Sequence, residues 1–107
     1  MSQLLDSNVT DITLRAQMYR DILNAITRKE VALVAHEIKE DEQYRSDLIS
    51  FRVYGRSDLS WLVDLSANRE DIAFPHDISG IIQLPDVVFI RNKIKQYSVL
   101  ERQLSNA

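Results

Sequence analysis

The chain has 107 residues, with 13 basic against 16 acidic side chains and a formal charge of −3. That length suits one domain and is short for two, and 45% hydrophobic with 27% charged residues marks a folding chain. The acidic balance argues against a mainly electrostatic nucleic-acid binder, the lack of cysteine excludes disulfides and thiolate metal sites, and no apolar run approaches the roughly 18 residues of a membrane helix. Met1-Ser2-Gln3-Leu4-Leu5-Asp6 lacks the basic and long apolar regions of a secretion signal, so synthesis without export is expected.

Residues 1–10 are polar and read as a frayed end. From about Asp11 to Arg28, Leu14, Met18, Ile22 and Ile26 recur every fourth position, and Ile12, Tyr19 and Leu23 widen the stripe. This spacing predicts an amphipathic helix capped by Thr10 or Asp11. The next apolar group, Val31, Leu33, Val34 and Ile38, sits roughly 150° around from that stripe on a continuous helix. A break near 27–30 is therefore expected, followed by a strand over about Val31–Ile38, with a second short helix as the competing reading.

Lys39-Glu40-Asp41-Glu42-Gln43 reads as a solvated acidic loop. Ser46 or Asp47 then opens a short helix ending at Tyr54, with Gly55 suited to the left-handed C-terminal position. Ser57 is expected to cap a further helix over about Asp58–Ala67, ended by Asn68. A loop through Phe74-Pro75-His76-Asp77 follows, then a strand at Ile81–Leu84 stopped by Pro85. Residues 86–90 are expected to extend along an edge, and about Arg91–Gln103 to form a terminal helix on the Ile90, Ile94, Tyr97 and Leu104 stripe.

Nothing in the sequence assembles a familiar catalytic or cofactor motif. Two glycines cannot build a phosphate-cradling loop, and no nucleophile-elbow or zinc-helix pattern occurs. His36 and His76 read as structural or surface residues, and the acidic pairs Asp41/Glu42 and Glu70/Asp71 sit in hydrophilic stretches. The expectation is a non-enzyme without metal, cofactor, small-molecule substrate, nucleic acid or membrane.

The two central helices are more informative. Leu48, Phe51 and Tyr54 share one face of the first, whereas Ile49 and Val53 form a separate strip. In the second, Leu59, Trp61, Leu62, Val63 and Leu65 span an arc of roughly 200°, against the 100° or so of an ordinary surface helix. Either the terminal segments fold over the excess or another protein covers it, with Trp61 and Tyr54 as anchors. The Leu14/Met18/Ile22/Ile26 stripe has the same two options: docking on this domain, or pairing with a partner helix. Arg45, Arg52, Arg56 and Arg69 surround these helices as a polar rim, as partners for Asp47, Asp58 and Asp64, or as a solvated face.

The run Tyr44-Arg45-Ser46-Asp47-Leu48-Ile49-Ser50-Phe51-Arg52-Val53-Tyr54-Gly55, then Leu59-Ser60-Trp61 and Asn68, then Asp77-Ile78-Ser79-Gly80-Ile81-Ile82-Gln83-Leu84-Pro85, resembles LysM-like tail proteins of contractile-tailed phages. In particular it is similar to the LysM-like baseplate wedge protein of myoviruses and to tail-X-type proteins. Ser60 stands where members usually carry a second Trp, and the stretch from Gly80 to Pro85 is one residue shorter. The resemblance covers about 36–90 and implies an α+β fold. Its core would be a β-α-α-β LysM-like unit at 31–90; the N-terminal helical arm at 1–30, which has no counterpart in the family, and the helical or extended tail at 91–107 are additions read from the residues themselves. The resemblance further implies a virion structural protein in several copies, made and assembled in the host cytoplasm, joining baseplate wedge and hub subunits. The excess apolar perimeter of the helices, rather than the resemblance, places the expected protein contacts at Trp61, Tyr54, Ile49, Val53, Leu14, Met18, Ile22 and Ile26. The rival implication is carbohydrate binding, as in LysM modules that hold peptidoglycan. Its groove would lie between 39–45 and 69–79, which are strongly charged here.

Overall fold

The computed structural model describes residues 3–67 and 75–105. Among these the chain forms α1 (Ile12–Thr27), β1 (Leu33–Glu37), α2 (Ser46–Tyr54), α3 (Ser60–Ser66), β2 (Ile81–Pro85) and α4 (Val87–Ser105), with 3-10 turns at Asp6–Asn8 and Glu40–Glu42. The result is a small α+β protein whose two strands pair antiparallel, Leu33 opposite Pro85 and Glu37 opposite Ile81.

Local chemistry accounts for most boundaries. The Asp11 carboxylate accepts the Leu14 N–H at the start of α1, offsetting one orphan donor of the first turn. Gly55 ends α2 at φ 73°, and its N–H reaches the Phe51 carbonyl. Helix α3 starts at Ser60, later than the expected Asp58, and Leu59 at its N-cap supplies no side-chain cap. Asp58 is committed elsewhere, to Arg56 and to the Leu4 N–H. Helix α4 begins at Val87 rather than Arg91, because Pro85 closes the strand and the Asp86 carbonyl accepts the Ile90 N–H. The expected stop at Asn68 and the loop through Phe74 fall outside the described residues.

Two apolar clusters hold the elements together. The larger joins Leu4, Val9, Leu14, Met18 and Ile22 to Leu59 and Leu62 of the α3 region and to Ile90, Ile94 and Tyr97 of α4. The smaller joins Ile38, Ile49, Val63, Ile82 and Leu84, placing α2 and α3 on the sheet. Helix α3 thus feeds both clusters from opposite sides, which is why its apolar arc is so wide. Helices α1 and α4 run antiparallel: Glu101 accepts the N–H groups of Thr10 and Asp11 at one end, whereas Tyr97 and Lys93 meet Asp21 further along.

Of the two options open to the N-terminal stripe, the structure shows docking on the rest of the chain: residues 3–30 pack on α3 and α4 and supply half of the larger cluster. The expectation that segment 39–43 is solvated holds for exposed Lys39, Glu40 and Asp41 but is corrected at Glu42, which is wholly buried at the end of its 3-10 turn.

Candidate docking surface

The buried carboxylate of Glu42 organises one side of α2. It accepts the Lys39 N–H at 2.8 Å, His36 Nε2 at 2.8 Å and Arg52 Nη1 at 2.9 Å, tying β1, the turn and α2 together. Burial alone would raise its carboxyl, but the Lys39 N–H, His36 and Arg52 outweigh this and hold it below the usual glutamate range. The other Arg52 nitrogen binds Asp41 at 2.7 Å. That hydrogen bond lowers the Asp41 carboxyl, and Asp41 with Glu42 raises the guanidinium further. Arg52 is therefore held in one orientation, and a carboxylate expected to be solvated acts as its anchor.

Two more pairs border the same helix. Arg45 Nε lies 3.0 Å from Asp47, and Arg56 Nε lies 2.7 Å from Asp58. The Asp47 and Asp58 carboxyls are lowered chiefly by these guanidinium hydrogen bonds. The arginines thus pair with Asp41, Glu42, Asp47 and Asp58; Arg69 lies outside the described residues.

The eight expected anchors face inward. Leu14, Met18, Ile22 and Ile49 are buried in the two clusters, and Ile26, Val53, Tyr54 and Trp61 are half-buried against them. Trp61 donates its indole N–H to the Leu4 carbonyl at 2.9 Å, and its ring tilts against Tyr19 with centroids 6.1 Å apart. Tyr54 donates to the Pro85 carbonyl at 2.6 Å, and burial raises its phenol above the ordinary range. Leu14, Met18, Ile22, Ile26 and Trp61 thus belong to the larger cluster, Ile49 and Val53 to the sheet cluster, and Tyr54 touches both.

What remains outside on α2 is a different set. Tyr44 is 64% and Phe51 58% exposed, with half-buried Leu48 between them in sequence. Leu48 and Phe51 are expected on one face with Tyr54 as the anchor there; Tyr44, just before the helix, is not among the expected contacts. A shallow cleft lined by Gln3, Phe51, Tyr54 and Arg56 continues this surface around the α2–α3 corner.

The second histidine is also structural in its contacts. His76 is 3% exposed and its Nε2 lies 2.9 Å from Ser46 Oγ, which donates to Asp64 Oδ1 at 2.5 Å. Its backbone N–H donates to the Gln43 carbonyl at 2.7 Å. Asp64 Oδ1 accepts from the serine and lies 4.0 Å from His76 Nε2, so the serine and the carboxylate both meet the Nε2 side of the ring. These contacts fasten residues 75–77 to the start of α2. Among the described residues, no group of three or more acidic or histidine side chains is placed to hold a metal ion. Comparison of the chain with protein-family models, curated proteins and solved structures produced no match.

Proposed function

We propose that this chain is a non-catalytic structural component of a contractile phage tail baseplate, joining wedge subunits to each other or to the hub. In this reading the order β1-α2-α3-β2 is a LysM-like core, and α1 and α4 are additions that stabilise it. The support is the resemblance at Tyr44–Gly55, Leu59-Ser60-Trp61 and Asp77–Pro85, taken with a strand order and pairing compatible with it.

One observation carries the docking part: two large aromatic side chains, Tyr44 and Phe51, stand in water beside a helix whose rim charges are already paired. Exposed aromatics in such a setting are the side chains most often found as interface anchors. The partner is a neighbouring baseplate subunit, and this chain is present in several copies within the virion after assembly in the host cytoplasm.

Mass spectrometry of purified particles tests the assignment directly, and detection of the chain in the tail is the expected result. Its absence from particles made by a host that expresses it overturns the reading. Tight, saturable retention on purified peptidoglycan would favour the carbohydrate-binding alternative instead.

A further inference from the structure

Among the described residues, the two-stranded sheet leaves β1 with an open edge. The bonds from Ile38 N–H to Gly80 and from Asp86 N–H to Ala32, with the register Val34–Leu84 and His36–Ile82, set which residues point at β2. They are Ala32, Val34, His36 and Ile38. By the alternation of an antiparallel ladder, Leu33, Ala35 and Glu37 aim their N–H and C=O groups the other way. Among the described residues, β2 is the only element with more than marginal contact to β1. The strand has no proline, no bulge and no lysine within it, the devices that normally blunt an edge.

The side chains agree with the backbone. Val34 shares the core-facing side with Ile82 and Leu84, yet it is 47% exposed, because the sheet stops one strand short of covering it. Ala35, at the centre of the strand, is exposed on the opposite side and is small enough for close approach.

We infer that the free edge of β1 pairs with β1 of a second copy of this chain, antiparallel, about a two-fold axis through Ala35. The outward-pointing residues are self-complementary in that register. Leu33 meets Glu37 of the second copy and Ala35 meets Ala35, each pair closing two N–H···O=C bonds. Val34 then lies beside His36 of the second copy and gains its missing cover. The flanks match in charge. The Arg28-Lys29-Glu30 end is net positive and the 37–41 end net negative, so an antiparallel pair sets opposite signs together twice. Five residues of strand bury less than the roughly 1,200 Å² of a stable specific interface. The dimer is therefore weak in isolation and forms at high protein concentration. This pairing does not depend on the baseplate assignment.

The full chain contains no cysteine, so one introduced thiol is a clean reporter. Opposed residues in a hydrogen-bonded antiparallel pair have Cα atoms about 5.5 Å apart, within disulfide range. Under mild oxidation Ala35→Cys should form a covalent dimer at least tenfold faster than Lys95→Cys on the exposed side of α4. Sedimentation equilibrium should show the wild-type mass rising with concentration, whereas Ala35→Lys, with two like charges on the axis, stays monomeric. Equal cross-linking rates for the two cysteine variants overturn the proposal. Association that survives Ala35→Lys also overturns it, and would place the contact on another surface such as the α2 face. If Ala35→Lys does not fold by circular dichroism, the cysteine comparison alone decides.

Discussion

The indole N–H of Trp61 donates to the carbonyl of Leu4, 57 residues earlier, at 2.9 Å, while the Leu4 N–H donates to Asp58 at 2.8 Å. Both backbone polar groups of Leu4 are thus consumed by the α2–α3 corner, and its side chain enters the larger cluster. The N-terminal segment is a strap across the very helix whose apolar arc exceeds what the sheet covers. Trp61→Phe keeps an aromatic ring but leaves the Leu4 carbonyl without its donor. A loss of about 1–2 kcal/mol is expected, read from urea unfolding followed by circular dichroism, because the variant removes the only tryptophan.

Glu42→Gln tests the charge anchor behind α2. The carboxyl lies below the ordinary glutamate value of 4.5, so its stabilisation is complete above that pH and disappears as pH falls through the lowered value. Removing the charge should cost about 2 kcal/mol at neutral pH, a figure reduced because Arg52 is more than a third exposed. The variant should also show a shallower fall in stability below pH 4.5 than the wild type. Chemical denaturation at several acidic pH values measures both effects.

At the alkaline end the sign reverses. Burial, then the hydrogen bond donated to Asp21, pushes the Tyr97 phenol up to about 12 from its ordinary 10. Its neutral form is favoured in the folded chain, so the contribution is whole below pH 10 and is lost as pH rises through about 12. Tyr19 and Tyr54 are raised in the same direction, again mainly by burial. Stability should therefore fall between pH 10 and 12, and Tyr97→Phe should make that fall less steep.

Phe51 and Met18 separate a surface role from a core role. Phe51 is largely in water, so Phe51→Asp should leave stability within about 0.5 kcal/mol of wild type. Under the proposed function it should nevertheless prevent incorporation into particles. Met18 is fully buried, and Met18→Asp places an unpaired charge among apolar side chains. That variant should fail to fold, as should the equivalent change at Ile22. Thermal melts of the isolated chains, set beside incorporation assays, distinguish the two outcomes.

Gly55 gives a purely backbone prediction. Its φ is 73° and a Cβ would meet nothing within 4 Å, so space is not the obstacle. Gly55→Ala should cost about 1 kcal/mol through the left-handed conformation alone. Gly55→Asn should cost less, since asparagine tolerates that region better. The melting temperatures of the two variants give the comparison.

Most elements with a strong local signal were readable in the residues themselves. The four-residue spacing of Leu14, Met18, Ile22 and Ile26 marks α1, and Gly55 marks the end of α2. The β-branched run around Val34 marks β1, and Pro85 marks the end of β2. The segments that misled were those whose local composition competes with a distant partner. Lys39–Gln43 is hydrophilic throughout, and the approach of His36 and Arg52, added to the Lys39 N–H, makes a buried Glu42 favourable.

The candidate surface follows the same division. Periodicity shows that α2 and α3 carry more apolar perimeter than a single flat layer covers, but it cannot say which chain supplies the rest. The expected anchors Trp61, Tyr54 and Ile49 turned inward because Leu4, α1 and β2 reach them within the molecule, leaving Tyr44 and Phe51 outside. Amino-acid order alone determined helix phase, turn positions and the strand-forming runs, since those depend on backbone preferences and spacing along a few residues. Which apolar faces meet, which carboxylate is buried and which strand edge stays open were decided only in three dimensions. Burial and charge pairing there depend on groups as far apart as Leu4 and Trp61, or Thr10 and Glu101.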